Sequence, residues 1–464
     1  MYLRKIRVQH LKLLRDLTLD FTDRSAKSGI RDWTVIIGQN GTAKTSLLQA
    51  IALAAAGSLQ VNTLAKQTRG HLRDRRSSDP LAIDATFEFL HGERSRRLHP
   101  HLKGPLPPAL RLQSSVSLAD GESTLRASAH YEGAGKTQDG DPLDEARSRN
   151  RQRWFVAGYG VARFIPNAAG QAVTLDLPSI ERMTPLFDAR TELTSTNFSS
   201  YFGRGDKARL FHRVLKRALL NVKSLLPDIR DIELRGYGGV DKPGDLLERN
   251  RFLQQIGKDK LKVPGVALAH GYQSVIAWIA DLVGHVLLEA DVKFEIEPEH
   301  MEGLVLVDEI DLYLHPIWQA TLIPALRKTF KKLQFIVTTH SPVVLSGVAP
   351  HEIIRLASFG DEGDVVEVIH HPETGALVPV SEVGDQGLRP DARMMTGSEI
   401  LRDQFGLDRL TPNPEGEERR RHAMLASDPY RTGAEDKALK ALSTALTKKG
   451  ATDLPKPVRR RKKA

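Results

Sequence analysis

The first 22 residues alternate between apolar and polar side chains, and this period of two is typical of β-strands. We therefore expect two or three strands in this stretch. A short apolar run, Val35 to Ile37, follows and predicts a buried strand. After Lys44 the apolar residues recur with helical spacing to about Ala56. The chain is thus expected to run from a buried strand through a short loop into a helix.

The middle of the chain mixes strand-like and helical patterns. Residues 60–150 alternate short strand-like pieces with stretches rich in Arg, Ser, Pro and Gly, so a β-rich, basic insertion is expected there. The apolar run with internal glycines that starts at Trp154 predicts a buried strand and a sharp turn. Segments 205–226 and 271–290 have the apolar spacing of helices, the first with a basic face and the second strongly apolar.

The last third begins with two apolar runs, 304–307 and 334–338, that predict buried strands. After His340 the pattern predicts a helix, a hairpin of two strands and a charged helical region. No long heptad stretch is present, so no coiled-coil arm is expected. No internal repeat is present either.

The composition narrows the class of protein. A chain of 464 residues can bury a full core and is expected to hold more than one structural unit. It has no apolar run of about 18 residues and no signal-peptide pattern at its N-terminus, so we expect no membrane association and a cytoplasmic location. The absence of cysteine excludes disulfides, thiolate catalysis and Cys-ligated zinc, and it suits a reducing compartment.

The net charge of +10 is concentrated at the C-terminus. Six of the positive charges lie in residues 456–464, which leaves +4 for the rest of the chain. Such a tail could contact DNA or RNA by neutralising phosphates. An equally acceptable interpretation is a disordered, solubilising tail.

The loop after Val35 to Ile37 carries the most specific chemical pattern. Gly38 to Thr45 fits G-x-x-x-x-G-K-[ST], in which backbone N–H groups surround phosphates, the Lys reaches the β/γ oxygens and the hydroxyl binds Mg²⁺. Ala43 stands where the pattern has Gly. With a negative φ it would keep its N–H donor, so a tighter or weaker site is expected, not a dead one. The predicted phosphate-binding residues are Gly38, Gln39, Asn40, Gly41, Thr42, Ala43, Lys44, Thr45 and Ser46.

A second match, GAGKT at 133–137, is expected to be a hairpin turn. His130 stands where the first glycine of the pattern should be, so the loop length is wrong. Neither a buried strand nor an apolar helix flanks it.

Three further pieces suggest the rest of a nucleotide site. Asp308 and Glu309 follow a buried strand and suit Mg²⁺ binding and activation of the attacking water, although acidic pairs also cap strands. His340 follows another buried strand and could contact the γ-phosphate, although such a His is often structural. A turn around Gly271 opens an apolar helix, whose N-terminal N–H groups could bind phosphate oxygens or could be an ordinary helix start.

The order GQNGTAKTS, LAHGYQS, LVLVDE, LYLHP, TTHSP resembles the ABC-type ATPase heads shared by SMC, RecF and OLD-family proteins. The resemblance implies an α/β fold: a P-loop NTPase head with a mixed, largely parallel central sheet, an N-terminal antiparallel β lobe and a helical lobe. It implies ATP and Mg²⁺ as cofactors. It also implies a head-to-tail dimer, in which the signature turn of one subunit completes the ATP site of the other.

The resemblance also assigns roles to residues. Lys44 and Thr45 match the P-loop pair, Asp308 and Thr45 the Mg²⁺ ligands, and Glu309 the catalytic base. His340 matches the switch histidine, so the implied catalytic residues are Glu309, His340 and Lys44. Leu314, His315 and Pro316 fall at the D-loop. The signature turn, which departs from LSGGQ because His270 replaces a small residue, is His270, Gly271, Tyr272 and Gln273.

Among such heads, the chain most resembles the stand-alone ATPases of antiphage systems, namely the PtuA type of Septu and retron-associated systems and the AriA type of PARIS. The stretch Tyr159-Gly160…Arg163 resembles a YGxxR segment common in these ATPases. The missing coiled coil disfavours SMC itself. The short, carboxylate-poor part after His340 disfavours an OLD nuclease. The resemblance implies a partner nuclease or toxin.

The expected division of the chain follows the same resemblance. The head would span 1–350, followed by a C-terminal hairpin and helical region (351–454) and a basic tail (455–464). Within the head the expected parts are the β lobe and P-loop (1–60), the insertion (60–150), the helical or signature lobe (151–300) and the Walker B to switch-histidine part (301–350).

Three functions stay open at this point. The first is an ATPase that controls a nuclease or toxin in antiphage defence. The second is a RecF-like clamp that grips duplex DNA when ATP drives its dimerisation. The third is a nucleotide-binding scaffold with little hydrolysis, which the substitution at Ala43 and the unusual signature turn would suit.

Overall fold

The computed structural model describes most of the chain. The described residues are 1–26, 28–89, 110–132, 140–144, 155–165, 175–203, 205–222, 225–234, 250–288, 296–360, 363–407, 414–451 and 454–459. The GAGKT segment at 133–137, Trp154 and the last five residues of the basic tail lie outside them.

The strands are β1 (Tyr2–Leu11), β2 (Leu14–Asp20), β3 (Trp33–Gly38), β4 (Leu81–Phe89), β5 (Leu110–Leu118), β6 (Arg126–Tyr131), β7 (Val156–Tyr159), β8 (Ile229–Glu233), β9 (Arg251–Ile256), β10 (Asp259–Pro264), β11 (Glu302–Val307), β12 (Lys332–Thr338), β13 (Ile353–Phe359), β14 (Asp364–His370) and β15 (Leu377–Pro379). The α-helices are α1 (Lys44–Ala54), α2 (Val61–Leu64), α3 (Pro178–Glu181), α4 (Phe198–Tyr201), α5 (Asp206–Leu220), α6 (His270–Leu288), α7 (Pro316–Thr329), α8 (Pro342–Leu345), α9 (Val380–Val383), α10 (Gly397–Phe405), α11 (Pro414–Ser427) and α12 (Gly433–Lys448).

The central sheet has the strand order β15-β14-β13-β3-β12-β11-β7. Strands β13, β3, β12, β11 and β7 are parallel to one another, and β14 and β15 add to β13 in antiparallel pairs at one edge. The parallel strands β3 and β11 are almost wholly buried, which is why their sequences are continuous apolar runs. Because parallel strands end at one edge, the loops after β3, β7, β11 and β12 meet there.

A second, antiparallel sheet has the order β2-β1-β4-β5-β6. In β1 the buried residues Ile6 and Val8 alternate with more exposed ones, as the alternation in the sequence predicts. Residues 60–150, expected as an insertion, contribute β4 to β6 to this sheet, since β4 pairs along the length of β1. Helix α1 is almost wholly buried and packs against strands of both sheets. The α/β class and the N-terminal antiparallel lobe are therefore confirmed.

A helical part surrounds α6. This helix packs against α5 and against a 3-10 turn at Ser195–Asn197, and β8, β9 and β10 form a small antiparallel sheet nearby in sequence. Among the described helices, α6 alone is long and apolar enough to cross a membrane by length and composition. However, 89% of its most apolar window is buried inside the protein, the environment of a core helix.

The chain divides into two units, Met1–Thr396 and Gly397–Ala464. The hairpin expected after residue 350 is part of the central sheet of the first unit, because β13 pairs in parallel with β3. The second unit contains α10, α11 and α12. Helix α12 begins with a capping box, in which Thr432 and Glu435 each accept a hydrogen bond from the other's backbone N–H.

Candidate nucleotide-binding site

The phosphate loop, residues 38–45, connects β3 to α1. Gly38 must be glycine here, because a Cβ atom would lie 2.5 Å from the Leu356 carbonyl oxygen and 2.6 Å from Thr42 Oγ1. Thr42 Oγ1 donates a hydrogen bond to the Gln39 carbonyl oxygen at 2.8 Å. The sequence prediction of strand, loop and helix matches the observed elements, and the helix begins at Lys44.

Ala43 has a left-handed backbone, with φ 57° and ψ 23°. The expectation of a negative φ is therefore wrong. The loop keeps the conformation that glycine would adopt freely, and an L-residue there costs about 1–2 kcal/mol. The loop geometry thus overrides the preference of the alanine.

Lys44 crosses the loop from the start of α1. Its Nζ donates hydrogen bonds to the carbonyl oxygens of Gly38 and Gln39, both at 2.9 Å. Burial lowers the pKa of Lys44, and the negative charges of Asp308 and Glu309 partly oppose that effect. The ammonium is therefore held inside the loop, where β- and γ-phosphate oxygens would be bound.

Asp308 follows β11 and contacts the phosphate loop directly. Its Oδ2 accepts a hydrogen bond from Thr45 Oγ1 at 2.7 Å, and its Oδ1 accepts one from Thr338 Oγ1 at 2.5 Å. Hard oxygen ligands of this kind suit Mg²⁺, which keeps several ligands as water and phosphate oxygens. Among the described residues there is no group of three or more His, Asp or Glu side chains that could hold a metal ion by themselves. The pair Thr45 and Asp308 therefore fits a nucleotide-linked Mg²⁺.

Glu309 has a strained backbone, with φ 45°. Its N–H donates to Thr338 Oγ1 at 2.8 Å, so one threonine hydroxyl contacts both acidic residues. The sequence analysis identified Thr338 only as the last residue of a predicted strand. The one sequence feature that could have indicated its contact with the acidic pair is a hydroxyl at the end of a mostly apolar run.

Arg163 is the residue whose role the sequence left undefined. It lies after β7, which pairs with β11, and only 1% of its surface is exposed. Its Nη1 donates to the Asp308 carbonyl oxygen and its Nη2 to the Glu309 carbonyl oxygen, both at 2.7 Å. Burial lowers the pKa of Arg163 to about 10, so the guanidinium remains charged at neutral pH.

His340 follows β12 and faces the same region. Burial lowers its pKa, and the charge of Lys44 lowers it further, so the ring is neutral at pH 7 and above. Next to it, Thr339 Oγ1 donates to Asp311, and Ser341 Oγ donates to Gln319 Oε1 at 2.6 Å. These bonds tie the end of β12 to the segment that follows β11.

A cavity of about 330 Å³ joins these groups. It is lined by Lys12, Leu13, Asn40, Gly41, Ala43, Lys44, Thr45, Ser46, Asp308, Glu309 and His340. Gly38, Gln39 and Thr42 shape the loop through the bonds described above. Lys12 and Leu13, from the turn between β1 and β2, were not predicted from the sequence, because nothing local distinguishes that turn from any other hairpin.

The signature turn does not line this cavity in the described part of the chain. Gly271 packs so closely on the segment after β11 that a Cβ would lie 2.7 Å from the Tyr313 carbonyl oxygen. Tyr272 is buried and its OH donates to Asp228 Oδ2 at 2.6 Å. Gln273 Nε2 donates to the carbonyl oxygens of Val266 and Leu268. Gly271, Tyr272 and Gln273 thus pack or hydrogen-bond within the chain.

His270 belongs instead to an aromatic patch that we define as Phe164, His270 and Tyr313. The ring centroids of Phe164 and Tyr313 are 5.1 Å apart, and those of Phe164 and His270 are 5.9 Å apart. Phe164 is 38% exposed and Tyr313 46% exposed. The patch therefore joins the signature turn, the segment after β7 and the segment after β11 at the protein surface.

Sequence comparisons match part of the chain to a family model and to two named relatives. A family model described as "AAA domain, putative AbiEii toxin, Type IV TA system" matches residues 286–346, which include β11, α7, β12 and His340. Septu protein PtuA of Bacillus mycoides (strain KBAB4) is 26% identical over 364 residues, covering 76% of this chain and 40% of that protein. The "Retron Ec83 probable ATPase" of Escherichia coli is 35% identical over 144 residues, covering 30% of this chain and 24% of that protein. The chain thus spans less than half the length of these two relatives.

Solved structures of SMC heads are also similar. An SMC head bound to the C-winged helix domain of ScpA has a TM-score of 0.47 at 15% identity, over 82% of this chain and 100% of that one. The SMC head domain from Thermotoga maritima has a TM-score of 0.39 at 14% identity, over 82% of this chain and 99% of that one. In sequence, the chain resembles a Septu protein and a probable retron ATPase. Its parallel central sheet and the phosphate loop between β3 and α1 are those of a P-loop NTPase fold.

Proposed function

We propose that this protein is a cytoplasmic ATPase that binds Mg·ATP between two head-to-tail subunits and controls a partner nuclease or toxin during antiphage defence. The observation that supports this most is the convergence of Lys44, Thr45, Asp308, Glu309 and His340 on one cavity. These residues come from three different strand ends. Nucleotide hydrolysis requires these groups to lie in one site. Separate structural roles for the individual residues would not explain why they line the same cavity.

Each group has a distinct chemical role in the proposed reaction. Lys44 would leave the loop carbonyls and bind β- and γ-phosphate oxygens. Thr45 and Asp308 would hold Mg²⁺, which supplies charge stabilisation for the phosphoryl oxygens when bound. Glu309 would orient the attacking water and accept its proton. Neutral His340 would donate a hydrogen bond to a γ-phosphate oxygen.

The head-to-tail dimer is supported by the surface around the signature turn. Phe164 and Tyr313 are exposed and pack on His270. Ile317, 69% exposed, precedes Trp318, which packs on Tyr272 of the same turn. Exposed aromatic and aliphatic side chains around a predicted in-trans contact suit burial by a second copy of the chain. His270 would occupy the centre of that contact.

The role in defence is supported by the sequence relatives, which are a Septu protein and retron ATPases. A partner is required because the proposed chemistry of the site is phosphate hydrolysis, which does not itself stop an infection. We further propose that the basic residues of the C-terminal tail contact the phosphates of DNA or RNA.

The test of dimerisation uses Glu309→Gln protein, in which ATP should be bound but not consumed. Its mass in solution should double on addition of Mg·ATP when measured by light scattering after size exclusion. Lys44→Ala should stay a monomer, and Lys328→Ala, which removes an exposed lysine on α7, should behave as the parent. A mass that does not respond to nucleotide in any variant would argue against the composite site.

The test of the partner is a pull-down of tagged Glu309→Gln protein from cells that carry its native neighbouring genes. We expect a nuclease or toxin in stoichiometric amount when Mg·ATP is present. Recovery of DNA with repair proteins would favour the RecF-like clamp instead. Absence of any macromolecule would favour the nucleotide-binding scaffold.

A further inference from the structure

Arg163 is a buried cation whose hydrogen bonds go to main-chain oxygens. Burying a charge costs several kcal/mol unless its hydrogen bonds are satisfied. Its two Nη atoms donate to the consecutive carbonyl oxygens of Asp308 and Glu309, both at 2.7 Å, while its Nε has no hydrogen-bond partner. The guanidinium therefore binds the main chain of the two acidic residues of the site, Asp308 and Glu309.

Those two carbonyls belong to a strained turn. Glu309 has φ 45°, a conformation that L-residues adopt only when surrounding contacts impose it. Here contacts fix the residue from both sides. Its N–H is bound to Thr338 Oγ1 at 2.8 Å. Its carbonyl oxygen accepts from Arg163 Nη2 at 2.7 Å and from the Leu312 N–H at 3.0 Å. Since φ sets the direction of the Cα–Cβ bond, these contacts also aim the Glu309 carboxylate.

The segment that carries Arg163 is itself anchored. At Gly160 a Cβ would lie 2.4 Å from the Pro185 carbonyl oxygen, so the chain passes in close contact with its neighbour. Before it, the Tyr159 OH donates to Asp281 Oδ2 at 3.2 Å. After it, Phe164 packs on Tyr313. Arg163 thus reaches the turn from a fixed position.

We propose that Arg163 is a positioning residue that holds the Glu309 main chain in its left-handed conformation and so aims the carboxylate at the attacking water. The proposal rests on the proposed function, in which Glu309 is the base of ATP hydrolysis. Lysine cannot replace the arginine fully, because one ammonium cannot reproduce the planar pair of donors that spans two successive carbonyls.

The experiment compares Arg163→Lys and Arg163→Met with the parent protein. We expect kcat for ATP hydrolysis to fall by about 10- to 100-fold, the effect of moving a catalytic group by about 1 Å. The Kd for a fluorescent ATP analogue should change by less than about 3-fold, because Arg163 binds only the main-chain oxygen of Asp308, whose carboxylate is held separately by Thr45 and Thr338. Arg163→Lys should retain more activity than Arg163→Met.

A matched control is Arg182→Lys. Arg182 is also 1% exposed, and its Nε donates to the Val156 carbonyl oxygen at the other end of β7. Melting temperatures establish that each variant is folded. If Arg182→Lys lowers kcat as much as Arg163→Lys does, the effect reflects loss of any buried arginine and the proposal is overturned.

A second readout does not depend on hydrolysis. Hydrogen exchange at the amides of Glu309 and Ile310 should become faster by at least about 10-fold in Arg163→Met, while exchange in the phosphate loop should not change. Unchanged exchange at Glu309 and Ile310 would overturn the proposal. If the parent protein does not hydrolyse ATP, the proposed function fails, and the exchange result still decides whether Arg163 holds the turn.

Discussion

Thr45 Oγ1 donates a hydrogen bond to Asp308 Oδ2 at 2.7 Å, although 263 residues separate the two in the chain. The contact exists because β3 and β11 flank β12 in parallel, so the loop after β3 and the end of β11 open at the same edge of the sheet. The fold itself therefore brings together the hydroxyl and the carboxylate that we propose as Mg²⁺ ligands.

Thr45→Val should weaken Mg²⁺-dependent nucleotide binding, because valine keeps the shape of threonine but has no oxygen. We expect the Kd for Mg·ATP to rise by about 10- to 100-fold, the range seen when a metal site loses one of its organising groups. Titration of a fluorescent ATP analogue at several Mg²⁺ concentrations measures it. Thr45→Ser, which keeps the hydroxyl, serves as the matched control. Equal affinities of the Val and Ser variants would exclude Thr45 as a ligand.

Glu309→Gln should stop hydrolysis while ATP stays bound, since the amide keeps the size of the side chain but cannot accept the proton of water. The rate of phosphate release should fall by about 10²- to 10⁴-fold, the usual contribution of a general base. Glu373→Gln, at an exposed position outside the site, should release phosphate at the parent rate. Unchanged release by Glu309→Gln would remove Glu309 from the catalytic assignment.

Ala43→Gly should stabilise the protein, because Ala43 has φ 57° and glycine adopts that conformation without strain. The strain relieved is about 1–2 kcal/mol, and the greater freedom of glycine in the unfolded chain offsets part of it. We expect the free energy of unfolding in urea to rise by about 0.5–1 kcal/mol. Ala43→Val should lower it, because a branched side chain tolerates the left-handed region poorly.

The matched control for Ala43→Gly is Ala320→Gly within α7. Glycine in a helix interior lowers stability by about 1 kcal/mol relative to alanine. The two substitutions should therefore shift the urea midpoint in opposite directions. A shift in the same direction would show that Ala43 is not strained.

The sequence predicted the elements whose signals are local. The run Val35 to Ile37, the glycines of the phosphate loop and the helical spacing after Lys44 each act within a few residues, and the strand, loop and helix follow from them. The same holds for the acidic pair after β11. Backbone strain was not predictable in this way, because the φ of Ala43 is imposed by the loop as a whole.

Long-range pairings account for the rest. Arg163 contacts carbonyls 145 and 146 residues away, and an arginine side chain gives no sign of which carbonyls it will bind. The strands of residues 60–150 were predicted as strands, but their pairing with β1 depends on contacts that periodicity does not specify. The hairpin of β13 and β14 likewise joins the central sheet only through its pairing with β3.

Asp281 on α6 provides a prediction about pH. It is fully buried, where its Oδ1 accepts from the Ser195 N–H at 3.0 Å and its Oδ2 from the Tyr159 OH at 3.2 Å. Burial raises the pKa of Asp281 to about 6 from its ordinary value of 3.8. Burial and the charge of Arg182 lower the pKa of the neighbouring His285, so that ring is neutral near pH 7. Because the folded state binds the Asp281 proton more tightly than the unfolded state, this carboxyl lowers stability as pH rises from about 4 to about 6.

Asp281→Asn should therefore gain stability relative to the parent protein over that pH range, since asparagine keeps the size and one acceptor oxygen but does not ionise. The difference in free energy of unfolding, variant minus parent, should rise between pH 4 and pH 6 by up to about 3 kcal/mol and then level off. Urea unfolding at several pH values from 4.5 to 7.5 measures it. Asp259→Asn, at the exposed start of β10, is the control for removal of a carboxylate that is not buried. A rise for Asp281→Asn no larger than that of this control would mean that burial does not raise the pKa of Asp281.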